Sequence, residues 1–175
     1  KKFGQTLREV VPKDGLGWQH KHIKTVEMNY KKAPYFPELF PAYEGIVSEC
    51  YDNLAQLNIA LMNFFLLWFG WHEKKVYYAS DWQLESRSEA RVIEICKRLG
   101  ADAYLSGTGG RNYQEEEHFK EAGIKLVYQE WEPLEYRQLW GEFRPYMSVL
   151  DYAMNEGHDI GSHFRRMEEV MAGGR

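Results

Sequence analysis

The sequence predicts an α/β protein whose βαβαβ parallel-sheet core carries additional helices before and after it. Strand-like and helix-like segments alternate between Lys75 and Gln129, at the spacing typical of right-handed βαβ crossovers. Helix-like segments flank this region on both sides. The length of 175 residues is enough for one domain that buries its own core.

The predicted core contains three strands and two helices. The strands are short runs rich in β-branched and aromatic residues: KVYYAS (75–80), AYLSG (103–107) and IKLVYQ (124–129). Each helix ends on a glycine, which commonly terminates helices: ESRSEARVIEICKRLG at Gly100 and QEEEHFKEAG at Gly123.

The first forty residues differ from the core in character. WQHKHIKTVEMNY (18–30) has helical spacing, with one face formed by Ile23, Val26 and Tyr30. KKAPYFPELFP (31–41) has three prolines within eight residues, so we expect it to be irregular.

Two further helices are predicted. The apolar run from Leu54 to Trp71 is expected to be a buried core helix rather than a membrane span, because it is interrupted by the amides of Gln56, Asn58 and Asn63. An interfacial helix is the alternative. PYMSVLDYAMNEG is predicted to start a helix at Pro145 and end it at Gly157. Residues 158–175 are expected to form a short polar helix with a frayed end.

We expect one domain over residues 1–175, in three parts: mainly helical or irregular (1–72), the βαβαβ core (73–131) and a helical C-terminal part (132–175). The chain begins KKFGQTLREV, without a starting Met or a signal-peptide pattern. It is therefore interpreted as a fragment whose N-terminus lies upstream.

Composition excludes several classes of protein. The net charge of -4 argues against a nucleic-acid-binding domain, since such domains usually carry a basic face. The hydrophobic content of 44% excludes a disordered chain. Cys50 and Cys96 lie far apart and have no neighbour at ligand spacing, so neither a disulfide framework nor a zinc site is indicated. A reducing, cytosolic compartment fits this cysteine usage.

The segment SGTGGRNY, from Ser106 to Tyr113, lies between a predicted strand and an acidic helix. Its glycines allow a sharp turn and close approach to a ligand, and N–H groups at a helix start favour an anion. Arg111 adds a bidentate donor for carboxylate or phosphate. The spacing matches neither the dinucleotide fingerprint nor the P-loop, so a plain glycine-rich turn is the alternative.

A polar stripe is predicted on the C-terminal helix, where Ser148, Asp151 and Asn155 follow at i, i+3 and i+7. Such a helix suits the rim of a pocket, with Asp151 as a base or as the partner of a substrate hydroxyl. A solvated face is the alternative. Tyr136 and Gln138 could supply neutral hydrogen bonds, or belong to a wrapped loop.

Among the histidines, only His20 and His22 are clustered, and residues two apart on a helix point in different directions. No metal site is therefore predicted. His22 could face a site together with Tyr30, and a structural histidine is the alternative.

Four segments resemble the WbqC-like proteins of bacteria: WQHKHIKTVEMNYKKAPYF, EARVIEICKRLGADAYLSGTGGRNY, FKEAGIKLVYQEW and EYRQLWGEFRPYMSVLDYAMNEG. The resemblance runs from about Phe3 to Gly157. The family pattern singles out His22, Tyr30, Pro34, Tyr35, Phe36, Ser106, Gly107, Arg111, Tyr113, Gln138, Ser148, Asp151 and Asn155.

The sequence also departs from this family. Family members usually begin with a strand followed by a Gln, Tyr, Pro and Gly-Tyr-Phe segment, and that portion is absent here. The chain is thus expected to be an N-terminally truncated WbqC-like domain that corresponds to about the C-terminal three quarters of the family pattern.

The resemblance implies a role in the biosynthesis of O-antigen lipopolysaccharide or other bacterial surface polysaccharides. We expect a transferase-like enzyme that performs a group transfer on a sugar nucleotide or an activated acyl substrate. Asp151 and His22 are the predicted catalytic residues. The predicted substrate-binding residues are Ser106, Gly107, Gly109, Gly110, Arg111, Tyr113, Gln138, Ser148 and Asn155.

The expected partner is a small anionic substrate, such as a sugar nucleotide or an acyl donor, with a carrier protein or a pathway enzyme as a further partner. No nucleic acid and no transmembrane segment are expected, and the cofactor is unknown because no flavin, nicotinamide or metal motif is visible. The expected location is the bacterial cytoplasm, or the membrane periphery. Two alternatives remain: a noncatalytic sugar-nucleotide or carrier-protein binding module, and a membrane-surface scaffold that uses Leu54 to Trp71.

Overall fold

The computed structural model describes residues 4–12, 17–129, 133, 135–162 and 164. The chain divides into two compact units, Lys1–Lys74 with Pro133–Arg175, and Lys75–Glu132. The expectation of one domain over the whole chain stays a prediction. The expected polar helix over 158–175 falls mostly outside the described residues.

The first unit is helical. Its helices are α1 (Trp18–Tyr30), α2 (Phe36–Ser48), α3 (Leu54–Trp68) and α6 (Val149–Glu156). Helices α1 and α3 were predicted at these places from apolar spacing. The core of the unit lies where α2 meets the others, since α2 buries Leu39, Phe40, Tyr43 and Val47.

Residues 31–35 form turns, as expected for an irregular segment, but helix α2 begins at Phe36 and overturns this expectation for residues 36–41. Pro37 lies in the first turn, where a backbone N–H has no intrahelical partner and its absence costs nothing. Pro41 lies inside the helix and removes one hydrogen bond. Burial of the apolar face compensates for that loss, because the side chains on both sides of Pro41 pack into the core.

The helix predicted in the apolar run is confirmed as α3, but few of its side chains are buried. Asn53 caps the helix by accepting a hydrogen bond from the backbone N–H of Gln56. Leu57 is the helix residue that is fully buried, while Met62 and Leu67 are exposed. In the part of the chain that the structure describes, none of the helices has the length and apolarity to cross a membrane.

The second unit contains α4 (Ser88–Leu99), β1 (Ala103–Ser106), α5 (Glu116–Glu121) and β2 (Lys125–Tyr128). The two strands pair in parallel, from Ala103 opposite Lys125 to Ser106 opposite Tyr128. A small core beneath them contains Cys96, Phe119 and Ile124. The predicted helix ends at Gly100 and Gly123 are confirmed, and both glycines have positive φ.

The full βαβαβ core is not confirmed, because the described residues form one βαβ unit with a two-stranded sheet. The run KVYYAS, predicted as the first strand, is irregular over residues 75–78 and enters a 3-10 turn at Ala79–Asp81. A strand needs a paired neighbour, and residues 75–78 pair with neither of the two strands in the described part of the chain. The ring of Tyr77 instead contacts Trp82, at 5.9 Å between centroids.

Helix α6 ends at Gly157 as predicted but starts four residues after Pro145. The reason is a competing cap: the Ser148 hydroxyl accepts a hydrogen bond from the backbone N–H of Leu150 at 3.3 Å. Tyr146 also has a φ of 61°, which a helix does not permit.

His158, just after α6, connects three elements of the first unit. Its Nδ1 lies 2.9 Å from the backbone oxygen of Trp68, and its Nε2 lies 2.7 Å from the Glu38 carboxylate. Both partners accept hydrogen bonds, so the geometry favours the imidazolium that donates from both nitrogens. The bond to the Trp68 carbonyl and then the Glu38 carboxylate raise the pKa of His158, and burial opposes them.

We expect this contact to stabilise the fold in a pH-dependent way. Because the folded pKa of His158 lies above the unfolded value of about 6.5, its contribution is fully present below pH ~6.5 and is lost as the pH rises through the folded pKa. An NMR titration of the ring proton should give a pKa above 6.5 that falls in Glu38→Gln. A His158 that titrates at or below 6.5 contradicts the prediction.

Candidate functional site

The Asp151 carboxylate is the centre of a hydrogen-bond network in the first unit. Asp151 is only 5% exposed. Its Oδ1 accepts a hydrogen bond from the Tyr30 hydroxyl at 2.8 Å, and its Oδ2 accepts one from the Tyr136 hydroxyl at 2.6 Å. The Gln138 amide donates a further bond to Oδ2 at 3.1 Å. Three neutral donors therefore compensate one buried carboxylate.

The local sequence explains why a carboxylate is tolerated here. Asp151 lies in the first turn of α6, where the helix dipole favours negative charge. Burial raises the pKa values of Tyr30 and Tyr136 well above their usual range, and the bonds to Asp151 raise them further. Both hydroxyls therefore remain protonated donors at neutral pH.

Gln138 joins this network to the following loop. Its Nε2 also donates to the backbone oxygen of Arg144 at 3.0 Å, and its Oε1 accepts from the backbone N–H of Arg144 at 2.8 Å. One side-chain amide thus closes the loop of residues 138–144 and holds it against Asp151. A substitution at position 138 changes both the loop and the carboxylate network.

A cavity of about 330 Å³ opens beside the carboxylate. This volume lies at the small end of the range for ligand sites. The cavity is lined by Thr25, Val26, Asn29, Tyr30, Gln138, Leu139, Trp140, Arg144, Met147 and Asp151. We call it the Asp151 pocket. Its walls combine a carboxylate, a guanidinium, side-chain amides and an indole, so it can bind a polar ligand through several kinds of contact.

The structure separates the predicted residues of the first unit into two groups. Asp151 and Gln138 meet in the Asp151 pocket. Ser148 caps α6, and Asn155 is buried and donates to the backbone oxygen of Asp151 at 2.8 Å. Neither lines the pocket. In this position both side chains form hydrogen bonds within α6.

His22 lies on α1 away from the lining of the Asp151 pocket. Its Nε2 forms a hydrogen bond with the Tyr43 hydroxyl, at 2.7 Å. Among the described residues no hydrogen bond joins His22 to Asp151. The two predicted catalytic residues therefore have separate hydrogen-bond partners.

The glycine turn lies in the second unit, directly after β1. Residues Thr108–Asn112 form a 3-10 turn, and the buried Ser106 precedes it. The guanidinium of Arg111 lies over the Tyr128 ring, with 4.3 Å between Cζ and the ring centroid. Tyr113 is exposed. The turn thus brings a positive charge and an exposed aromatic side chain together at the carboxyl end of β1.

Gln114 forms the floor of this turn and is only 6% exposed. Neither atom of its side-chain amide has a hydrogen-bond partner among the described residues. Buried amides without partners are rare in folded proteins. Gln114 is therefore a candidate contact for a ligand or a bound water, and the sequence pattern did not single it out.

The start of α5 is less open to an anion than the pattern suggested. Glu89 of α4 accepts a hydrogen bond from the backbone N–H of Glu115, so an internal carboxylate already occupies that position. The first turn of α5 also contains Glu116 and Glu117. Anion binding at the turn therefore depends on Arg111 and the glycine backbone.

A second, apolar cavity of about 610 Å³ lies along α3 in the first unit. Asn58 is the polar residue of its lining, and the other lining residues are Leu61, Met62, Phe65, Leu66, Phe69, Trp71, Val149, Ile160 and Phe164. Water finds few partners in such a space, which favours an apolar occupant.

No group of three or more histidine, cysteine or acidic side chains suited to a metal ion occurs among residues that the structure describes. Cys50 is exposed and Cys96 is buried, and both are free. Burial raises the pKa of the Cys96 thiol, which makes it a poor nucleophile.

The residues of the Asp151 pocket that sequence reasoning missed include Asn29, Trp140 and Arg144. For Trp140 and Arg144 the sequence did carry a signal: a run rich in aromatic and basic residues, from Tyr136 to Tyr146, directly before the polar stripe. Asn29 carries no signal, because its role depends on a contact between its backbone oxygen and Trp140, 111 residues away.

Gly110 allows a test of how tightly the glycine turn is packed. A Cβ at this position would overlap the Ser106 hydroxyl and the Gln114 amide, whereas a Cβ at Gly109 would meet no atom within 4 Å. We expect Gly110→Ala to lower the free energy of unfolding by about 1–3 kcal/mol and Gly109→Ala to change it little, as measured by urea denaturation. Equal effects of the two substitutions would contradict this packing.

Comparisons with known proteins agree with the resemblance. A model of the WbqC-like protein family matches residues 1–162, nearly the whole chain. An uncharacterized protein of Mycobacterium tuberculosis (strain ATCC 25618 / H37Rv) is 31% identical over 169 residues, which cover 94% of this chain and 71% of the relative. No solved structure matches the chain. The chain belongs to the WbqC-like protein family.

Proposed function

We propose that this protein is an enzyme of bacterial surface polysaccharide biosynthesis that transfers a group to or from a sugar nucleotide or an activated acyl substrate. The observation that carries the proposal is the Asp151 pocket. It combines a buried carboxylate, the Tyr30 hydroxyl that donates to that carboxylate and a guanidinium. The polysaccharide context follows from what the family resemblance implies.

The lining of the Asp151 pocket matches the chemistry of a sugar. Sugar hydroxyls both donate and accept hydrogen bonds, and they pair well with carboxylates, carboxamides and guanidinium groups. Asp151, Asn29 and Arg144 present all three groups in one cavity. A few polar groups in an otherwise apolar lining are typical of small-molecule sites.

Asp151 is the better candidate for proton transfer of the two predicted catalytic residues. A carboxylate offers about four lone-pair positions, and three of them are used by Tyr30, Tyr136 and Gln138. The remaining position on Oδ1 can accept the proton of a substrate hydroxyl that attacks an activated group. His22 lies outside the lining of this pocket, and we propose a supporting role for it.

We propose the glycine turn of the second unit as a separate anion-binding site. Arg111 supplies the charge, and the backbone N–H groups around Gly107, Gly109 and Gly110 supply further donors. The buried amide of Gln114 adds a donor and an acceptor at the floor of the turn. Ser106 and Tyr113 would complete the contacts.

A noncatalytic binding module is the second candidate function, and one observation favours it. The three donors around Asp151 already stabilise its charge, so the residue has a complete structural role without moving a proton. Such a module would present a sugar nucleotide or a carrier protein to a neighbouring enzyme. A membrane-surface scaffold is a further alternative, because Met62 and Leu67 of α3 are exposed. Binding of the protein to anionic vesicles tests it.

Ligand binding should be measured first, by a thermal-shift screen against sugar nucleotides, coenzyme A thioesters and acyl carrier protein. A ligand at a hundred times its dissociation constant stabilises the protein by about 2.7 kcal/mol. We expect Arg111→Ala to abolish the shift. Arg87→Ala, which changes an exposed arginine of the same unit, should retain it. Equal shifts in both variants would remove the glycine turn from the site.

Catalysis is tested by product formation with the donor identified in this way. We expect Asp151→Asn to slow product formation at least 100-fold, because the amide cannot take up the hydroxyl proton. The matched control is Tyr152→Phe, which removes a buried hydroxyl on the same helix without touching the pocket. Each variant is assayed below its own melting temperature. A wild-type rate in Asp151→Asn would favour the binding module.

A further inference from the structure

We propose that the Asp151 pocket binds the pyranose ring of an anionic sugar, which stacks on Trp140 and places its negative group on Arg144. This inference rests on the proposed function and specifies its substrate class. It is carried by the loop of residues 138–144, whose anchoring fixes the positions of these two side chains.

Trp140 has the properties of a stacking platform. The side chain lines the pocket and yet is 60% exposed, so much of the indole has no protein neighbour. One face of a pyranose ring carries several C–H groups, and these pack well against an aromatic face. An exposed tryptophan that lines a cavity together with Asp151 and Arg144 therefore fits a sugar better than it fits an apolar chain.

The indole is oriented before any ligand arrives. Its Nε1 donates to the backbone oxygen of Asn29 in α1, at 3.0 Å. Gly141, directly after it, has a φ of 62° and allows the chain to turn sharply. The two hydrogen bonds between the Gln138 side chain and the Arg144 backbone close the loop. A preorganised platform reduces the entropy lost on binding.

Arg144 is the residue that makes the pocket prefer an anionic sugar over a neutral one. It is the cation among the residues that line the pocket, and in the part of the chain described by the structure its guanidinium forms no ion pair. A guanidinium binds carboxylate or phosphate through two parallel hydrogen bonds. A neutral sugar would leave this group unused, whereas an anionic sugar would pair with it.

The carboxylate of Asp151 sets the orientation of such a ligand. It is the acidic residue of the lining, and its Tyr30 and Gln138 partners line the same cavity. The negative group of the sugar is repelled from Asp151 and attracted to Arg144. A hydroxyl of the ring is therefore the group that faces the free position on Oδ1.

The test is a titration of the whole chain with glucuronate, glucose 1-phosphate and glucose, followed by saturation-transfer NMR. We expect the anionic sugars to bind at least about tenfold more tightly than glucose, since only they form charge-assisted hydrogen bonds with the Arg144 guanidinium. The two anionic sugars distinguish a carboxylate from a phosphate. Equal affinities for all three sugars would overturn the charge selection.

Matched variants assign the effect to the two side chains. Arg144→Gln should remove the preference for anionic sugars, whereas Arg137→Gln, at an exposed arginine outside the lining, should retain it. Trp140→Ala should weaken binding of all three sugars, and Trp140→Phe should restore part of it. Wild-type affinities in Arg144→Gln and Trp140→Ala would overturn the proposal.

Failure of the anionic-sugar assignment can be distinguished from failure of the proposed function. If sugar nucleotides bind through Arg111 and yield product while the monosaccharides show no charge preference, only the anionic-sugar assignment fails. If anionic sugars bind as expected but no product forms with any donor, the assignment of a substrate class stands and the transferase activity fails.

Discussion

The buried carboxylate of Asp151 is the constraint on which the first unit depends. Its donors come from α1 and from the segment before α6, so one side chain connects parts of the chain that lie up to 121 residues apart. Burying a charge is costly unless hydrogen bonds compensate it. The positions of Tyr30, Tyr136 and Gln138 follow from that requirement.

The same network gives the pocket its chemistry. The Tyr30 hydroxyl donates its hydrogen to Asp151 and lines the same cavity, so its oxygen can accept a hydrogen bond from a ligand. Gln138 forms hydrogen bonds both with the Asp151 carboxylate and with the Arg144 backbone, so it links the carboxylate to the loop that contains Trp140 and Arg144. The fold of the first unit and the Asp151 pocket therefore share one set of residues, and a change at Asp151 affects both.

Features determined by local sequence were predictable. Gly100, Gly123 and Gly157 end helices because glycine adopts positive φ without strain, and the apolar spacing of α1, α3 and α4 gave their approximate bounds. The sequence also suggested a pocket rim for Asp151 and a neutral hydrogen-bonding role for Gln138, with a solvated face and a wrapped loop as the alternatives. These inferences needed only residues within a few turns of each other.

Features that depend on distant contacts were not predictable. The run KVYYAS has the composition of a strand but pairs with neither of the described strands, and α2 forms despite Pro41 because its apolar face is buried. The bonds from Tyr30 to Asp151 and from Trp140 to Asn29 join residues more than 100 positions apart. Gln114 became a candidate only when its burial without partners was known.

A double-mutant cycle of Tyr30→Phe and Asp151→Ala tests the central role of this carboxylate most directly. The free energies of unfolding of the wild type, both single variants and the double variant give the coupling between the two side chains. We expect a coupling of about 1.5 kcal/mol or more, because removing the hydroxyl matters only while its charged acceptor is present. Additive effects, within about 0.5 kcal/mol, would contradict the account.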